Sequence, residues 1–388
     1  MRRTLPPVRS RVSLRRESPA RGASAFARVL PGRTVHLYDS GSAALAVALR
    51  DACLRHGSAR PEVILPAYGC PQLISACLWA QVLPRIVDTA AGHWGYDLNL
   101  LRGACSRDTV AIVAVNLLGI GDQAQELLPL ARASGAYLVQ DSAQHLPTLP
   151  TGWNADYVVL SFGRGKPLNL LRGGALAFSE QQALLADAPV VGGRARLREA
   201  VLASRAAGAA FNFITHPRAY GLALRLPGLG LGETRYSPVA GVSRLPFATW
   251  GQLGAAYETY SRRHEAFRWD AVLPSWRRDL GVQELTLPGS AAAARDRRLR
   301  LALLAPDRAF RDRASAALAG LGLGASAMYG TAVDGIQNIP GEVSAQGPFA
   351  NAAQLAERLF TLPTHDAVSD AVVAQTDGCL RKIASSGG

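Results

Sequence analysis

Short apolar runs at Val35–Tyr38, Val63–Tyr68, Arg85–Asp88, Val110–Leu117, Ala136–Gln140, Tyr157–Phe162 and Gly174–Phe178 predict strands. Between them, Ser42–Arg55, Pro71–Ala80 and Gln123–Ser134 have the length and spacing of helices. Strands that are apolar throughout, alternating with helices, predict a mostly parallel sheet covered on both faces. In such a sheet, ligands bind beyond the carboxyl ends of the strands. Asp141, Gln144 and Ser161 fall at or just past predicted ends.

The flanks differ. Residues 1–30 predict a basic, mobile arm with a short helix around Ala23–Leu30. Residues 31–250 form a large domain, with a helical pattern resuming from Pro246 to about Arg268. Residues 251–388 mix short strands and helices and predict a smaller α+β domain. Within 190–235, Ala, Gly and Leu dominate among spaced arginines. The stretch predicts a buried helical hairpin or dimer contact, or else a segment in peripheral contact with a membrane.

Composition narrows the class. Of 388 residues, 48% are hydrophobic and 18% charged, which excludes an intrinsically disordered chain. No apolar run reaches the roughly 18–20 residues of a membrane span, and no apolar segment follows the basic start, so a secretory signal is not expected. Five cysteines without a CxxC pair predict reduced thiols in a cytoplasmic protein, with no structural metal. The net charge of +13 raises the possibility of nucleic acid. However, residues 1–22 carry seven arginines against Glu17, nearly half the excess, and the remainder is scattered, so no nucleic-acid partner is expected.

Forty of the 42 cationic residues are Arg; the lysines are Lys166 and Lys382. A guanidinium cannot lose its proton to become a nucleophile, whereas an amine can form a Schiff base. Lys382 sits near the tail, but Lys166 follows Ser161 by five residues in a Gly-rich loop. Upstream, Ser40-Gly41-Ser42-Ala43 opens a helix whose free N–H groups suit a phosphate, and Asp141 ends a strand. An amine for an aldehyde, a carboxylate for a pyridinium, and hydroxyls with amides for a phosphate are what pyridoxal phosphate requires.

The runs SGSAALAVAL, VILPAYGCPQLISACLWAQVLPRIVDT, GAYLVQDSAQHLPT and YVVLSFGRGKPLNLLRGGALAF, with SAMYG and ANAAQLAERLFTLPTH downstream, resemble the DegT/StrS-type sugar aminotransferases. These are fold type I pyridoxal phosphate enzymes, and the resemblance covers roughly residues 35–370. It implies that Lys166 forms the Schiff base and shuttles a proton, and that Asp141 pairs with the pyridine nitrogen. It also implies that Gln144 bonds the ring oxygen, that Ser161 with Gly41, Ser42 and Ala43 holds the phosphate, and that Cys70 stands beside the ring. A homodimer is implied, with amino transfer from glutamate or glutamine to a keto sugar, nucleotide-linked. The alternatives are a non-sugar or lipid-linked ketone, a dehydration, or a non-catalytic regulatory protein of the same fold.

The chain departs from the family pattern in four places. Cys70 replaces an aromatic, so a neighbour such as Tyr68 or the acceptor itself is expected to fill the space. Asn116 stands where His is common. Leu171-Arg172-Gly173-Gly174 replaces the usual Gly-Glu-Gly-Gly. Tyr236–Leu245, flanked by Arg235 and containing Arg244, lacks the Asn-containing loop that a partner subunit lends to the phosphate.

Overall fold

The computed structural model describes residues 3–121, 123–147, 153–189, 205–225, 235–262, 267–287 and 298–386. Seven strands form the main sheet: β1 Arg33–Tyr38, β2 Glu62–Pro66, β3 Leu83–Val87, β4 Thr109–Val115, β5 Tyr137–Asp141, β6 Tyr157–Ser161 and β7 Gly174–Ser179. Their order is β1-β7-β6-β5-β4-β2-β3. β7 runs antiparallel to both β1 and β6, and the remaining pairs are parallel. All seven strands read from the pattern exist, most with ends displaced by one or two residues. The sheet is the large, mostly parallel one expected of a fold type I enzyme.

Successive strand residues face opposite sides and both sides are buried. Val63, Leu65, Val113, Val139, Val159 and Leu176 pack on α2 (Gly41–His56) and α3 (Gln72–Ala80). Ile64, Ile112 and Leu138 pack on the other face with α4 (Leu98–Ala104) and α5 (Ala124–Ala133). Val158, Leu160 and Ala175 meet Phe26 of α1 (Pro19–Ala27) and Leu253 of the Thr249–Ser261 helix. A second sheet, antiparallel β10-β9-β8, comprises Gln283–Glu284 (β8), Arg300–Leu304 (β9) and Leu359–Pro363 (β10).

The arm expected to be mobile is packed instead. Leu5 enters the core beside Trp269 and Trp276, Arg9 pairs with Asp366, and His365 Nε2 meets Pro6 O at 2.9 Å. Of the 190–235 stretch, 190–204 and 226–234 lie outside the described residues. In the described part, Phe213, Leu222 and Leu224 are exposed. Among the described residues no helix is long and apolar enough to cross a membrane.

α2 is buried along most of its length, and its alanines let it lie close to the sheet. One charged group anchors it. Asp51, fully buried, accepts from Tyr157 Oη of β6 and from Arg55 Nε, each at 2.6 Å, and from the N–H groups of Leu185 and Ala186. Removing it strands several buried donors, which typically costs 3–5 kcal/mol for a buried pair. Asp51→Ala should therefore lower unfolding stability by about 3 kcal/mol or more in a denaturant titration, with Asp51→Asn retaining part of the loss.

Candidate active site

The site is built from the carboxyl ends of the parallel strands. β5 ends at Asp141, which pairs in register with Val115 of β4 and Val159 of β6. β6 ends at Ser161, opposite Gly174 of β7. Asn116 follows β4, and Tyr68 and Cys70 follow β2. These ends open into a cavity of about 240 Å³ whose wall includes Gly41, Ser42, Cys70, Asp141, Gln144, Ser161 and Lys166. Seven of the eight residues singled out from the sequence thus meet in one place.

Ala43 is the exception. It is fully buried in α2, and its N–H donates to Ser40 Oγ at 3.0 Å, the ordinary N-cap bond. The first intrahelical bond runs from Ala44 N–H to Ser40 O, so the amides of Gly41 and Ser42 precede the helical ladder and have no intrahelical acceptor. Gly41 must be glycine, because a Cβ there would lie 2.7 Å from Ser161 Cβ and 2.9 Å from its hydroxyl. Gly174 closes the other side, since a Cβ on it would meet Gly41 Cα and N at 2.6 Å. The result is a cradle of two amides and the Ser161 hydroxyl at the positive end of a sixteen-residue helix.

Burial pushes the Asp141 carboxyl up, against the Ala143 N–H (3.0 Å to Oδ1) and the charge of Lys166, which pull it down. A buried carboxylate facing an amine across a cavity can hold a protonated ring nitrogen. Lys166 sits on the Phe162–Gly173 loop, whose base is closed by Phe162 N–H to Gly173 O and Leu170 N–H to Phe162 O, each 2.8 Å. The loop's inner residue Asn169 is buried. Its Nδ2 donates to Ser10 O of the arm at 2.8 Å and its Oδ1 accepts from Leu171 N–H at 2.9 Å.

One polar residue of the wall, Tyr329, was not singled out by the sequence. Tyr329, in the connection from β9 to β10, lines the cavity and accepts from Gln144 Nε2 at 3.0 Å. Gln144 Oε1 in turn accepts from Leu118 N–H at 3.2 Å, so both ends of that amide are engaged within the protein. Burial pushes the Cys70 thiol up, against the charge of Lys166 and the neighbouring Tyr329, which pull it down. The space beside Cys70 is therefore taken by Tyr329, with Tyr68 stacked edge-on behind it at 5.5 Å. Asn116 donates to Ser142 Oγ, while its buried Oδ1 finds no donor among the described residues, an acceptor left open in the wall. Arg244, by contrast, is held by Asp187 at 3.1 Å.

Phosphate cradle, buried carboxylate, loop amine and open acceptor fit a phosphorylated pyridine aldehyde. Residues 23–189 match the model of the DegT/DnrJ/EryC1/StrS aminotransferase family. This bears out the resemblance read from the sequence. A "dTDP-4-dehydro-2,6-dideoxy-D-glucose 3-dehydratase" of Saccharopolyspora spinosa is 30% identical over 151 residues, 36% of this chain and 32% of that protein. The match thus spans about a third of that relative's length. Two solved structures superpose over 95% of the chain. NtdA from Bacillus subtilis, solved with its cofactor PMP, has a TM-score of 0.68 at 16% identity over 77% of its chain. PseC of Helicobacter pylori, an aminotransferase involved in pseudoaminic acid biosynthesis, has a TM-score of 0.66 at 16% identity over 91% of its chain. These likenesses establish the fold alone.

Asp141 makes a pH-dependent prediction for the cofactor-free protein. Its folded pKa lies above the unfolded value near 3.9, so ionising it penalises the fold. The penalty is absent below that value, grows as pH rises through the folded pKa, and is complete above it. Asp141→Asn should raise the melting temperature of the cofactor-free protein at pH 7, and the difference should shrink towards zero near pH 4.

Proposed function

We propose that this protein is a pyridoxal phosphate-dependent aminotransferase that moves an amino group from glutamate or glutamine to a keto sugar carried on a nucleotide. The observation that carries this reading is convergence. The amides of Gly41 and Ser42, Ser161, Asp141 and Lys166 come from separate strand and helix ends and reach one cavity. The family match over 23–189 supports it. Bound there, the cofactor supplies an aldehyde to carry the amino group and a ring to accept electrons.

The chain's own residues do the rest. The Gly41 and Ser42 amides with Ser161 bind the phosphate and fix the position of the ring. Asp141 keeps a proton on the ring nitrogen. Lys166 would hold the cofactor covalently, and its amine would move a proton at the substrate carbon. Gln144, tied to Tyr329, orients that hydroxyl into the cavity beside Cys70. Asn116 Oδ1 is available to accept a donor from the cofactor or acceptor. In this reading the protein is a homodimer, as the family resemblance implies, and cytoplasmic, in keeping with five free cysteines. A second reading retains the cofactor but performs a dehydration or takes a lipid-linked ketone. The name of the Saccharopolyspora relative favours the former.

The test is borohydride reduction of the cofactor-loaded protein followed by peptide mapping. The phosphopyridoxyl group is expected on Lys166; a label on Lys382, or none, overturns the reading. Lys166→Arg should keep the wild-type circular dichroism and lose amino transfer. Asp141→Asn should keep cofactor binding while turnover falls on the order of a hundredfold or more. Turnover within a few-fold of wild type would make Asp141 only a turn former.

A further inference from the structure

Residues 205–214 are helical and lie against the arm. Asn212 exchanges two hydrogen bonds of 2.9 Å with the backbone of Val12. Gly208 admits that contact, since a Cβ there would meet Val12 Cγ1 at 2.8 Å. Thr4 N–H donates to Pro217 O at 2.9 Å and extends the seam. The inner side is thus Gly208, Asn212 and Thr215. The outer side is Ala206, Ala209, Ala210 and Phe213, all exposed and at helical i, i+3, i+4, i+7 spacing.

This inverts the ordinary amphipathic helix, whose solvent side is polar. Phe213 is 72% exposed, and the turn that follows adds Leu222 and Leu224, both at least half exposed. Exposed arginines accompany them: Arg15 and Arg16 on the arm, and Arg205, Arg218 and Arg225 on the segment. None is ion-paired with a carboxylate among the described residues, and residues 3–16 and 205–225 contain no Asp or Glu. Burial and the charge of Arg205 push the Arg16 guanidinium below its usual range, which marks two cations crowded without an anion.

We propose that this face docks on an anionic lipid bilayer, with Phe213, Leu222 and Leu224 entering the headgroup–acyl boundary and the arginines meeting lipid phosphates. Charge complementarity selects the partner. A second copy in two-fold contact would set an acid-free arginine cluster against itself. A nucleic acid would answer the arginines but leave the alanine–phenylalanine face uncovered. The same arm carries Ser10, whose carbonyl binds Asn169 of the Lys166 loop, so the docked face adjoins the loop that borders the cavity.

The experiment is flotation of the full chain with phosphatidylglycerol–phosphatidylcholine vesicles, with pure phosphatidylcholine as the control. The protein should float with the anionic vesicles at low salt, lose binding tenfold or more as salt rises, and ignore the neutral ones. Phe213→Glu/Leu222→Glu should abolish flotation without changing circular dichroism, melting temperature or oligomeric state. Lys166→Arg should float like wild type, which separates this inference from the catalytic reading. No flotation with anionic vesicles, or unchanged flotation by the double variant, overturns the proposal. A double variant that alters the oligomeric state also overturns it, because the face would then belong to a second copy.

Discussion

The contact on which the site rests is backbone against backbone. Gly41 at the head of α2 lies directly on Ser161 and Gly174 at the ends of β6 and β7, with no room for a Cβ on either glycine. Ser40 bridges to Gly173 at the same point, and Gly173 N–H donates to Asp39 O. This approach sets three things at once. It puts the positive end of the helix against the Ser161 hydroxyl, fixes the root of the Lys166 loop, and forces the rest of α2 down across the sheet. A helix so placed is buried on nearly all sides, which its alanine-rich sequence permits and the Asp51–Tyr157 bond secures.

Backbone strain gathers around the same cavity. Of the five non-glycine residues with positive φ among the described residues, Leu118, Leu171 and Met328 flank the site. Leucine in the left-handed region costs roughly 1–2 kcal/mol. In each case a side-chain oxygen holds the strained N–H: Gln144 Oε1 for Leu118, Asn169 Oδ1 for Leu171 and Ser326 Oγ for Met328. Leu171 stands where the family more often has glycine, so Asn169 supplies by hydrogen bonding what glycine supplies by lacking a Cβ. Through Asn169 Nδ2 that bond also reaches the arm. The arm therefore belongs to the architecture of the lysine loop.

What could be read from the sequence was local. The strands were visible as apolar runs, and Asp141 and Ser161, at the ends of two of them, were visible as site candidates, because a parallel sheet collects such ends. Lys166 stood out because 40 other cations are arginine. Residues whose roles come from distant contacts were not legible. Tyr329 reaches Gln144 across 185 positions, and nothing around SAMYG announces that the tyrosine fills the space beside Cys70. The arm was misread as mobile because its arginines dominate the pattern, while Leu5 and Val12, which bury it, are single apolar residues without periodicity. Ala43 was grouped with the phosphate seat because motif reading assigns no direction to an N–H, and the Ser40 side chain takes that one. The short helix α4 also went unread, lying in a stretch with too few turns to show a period.

The arginines explain why a lysine is singular here. Asp156 holds both arms of Arg132 at 2.7 and 2.9 Å, and Asp51 and Asp366 hold Arg55 and Arg9. These planar forks suit carboxylates. Lys166 enters no salt bridge among the described residues, although Asp141 is near enough for the two charges to influence each other. A guanidinium at that position could not lose its proton. An ammonium on a four-carbon stem can. The chemistry inferred for this site needs that property, and among the two cationic side chains only lysine provides it.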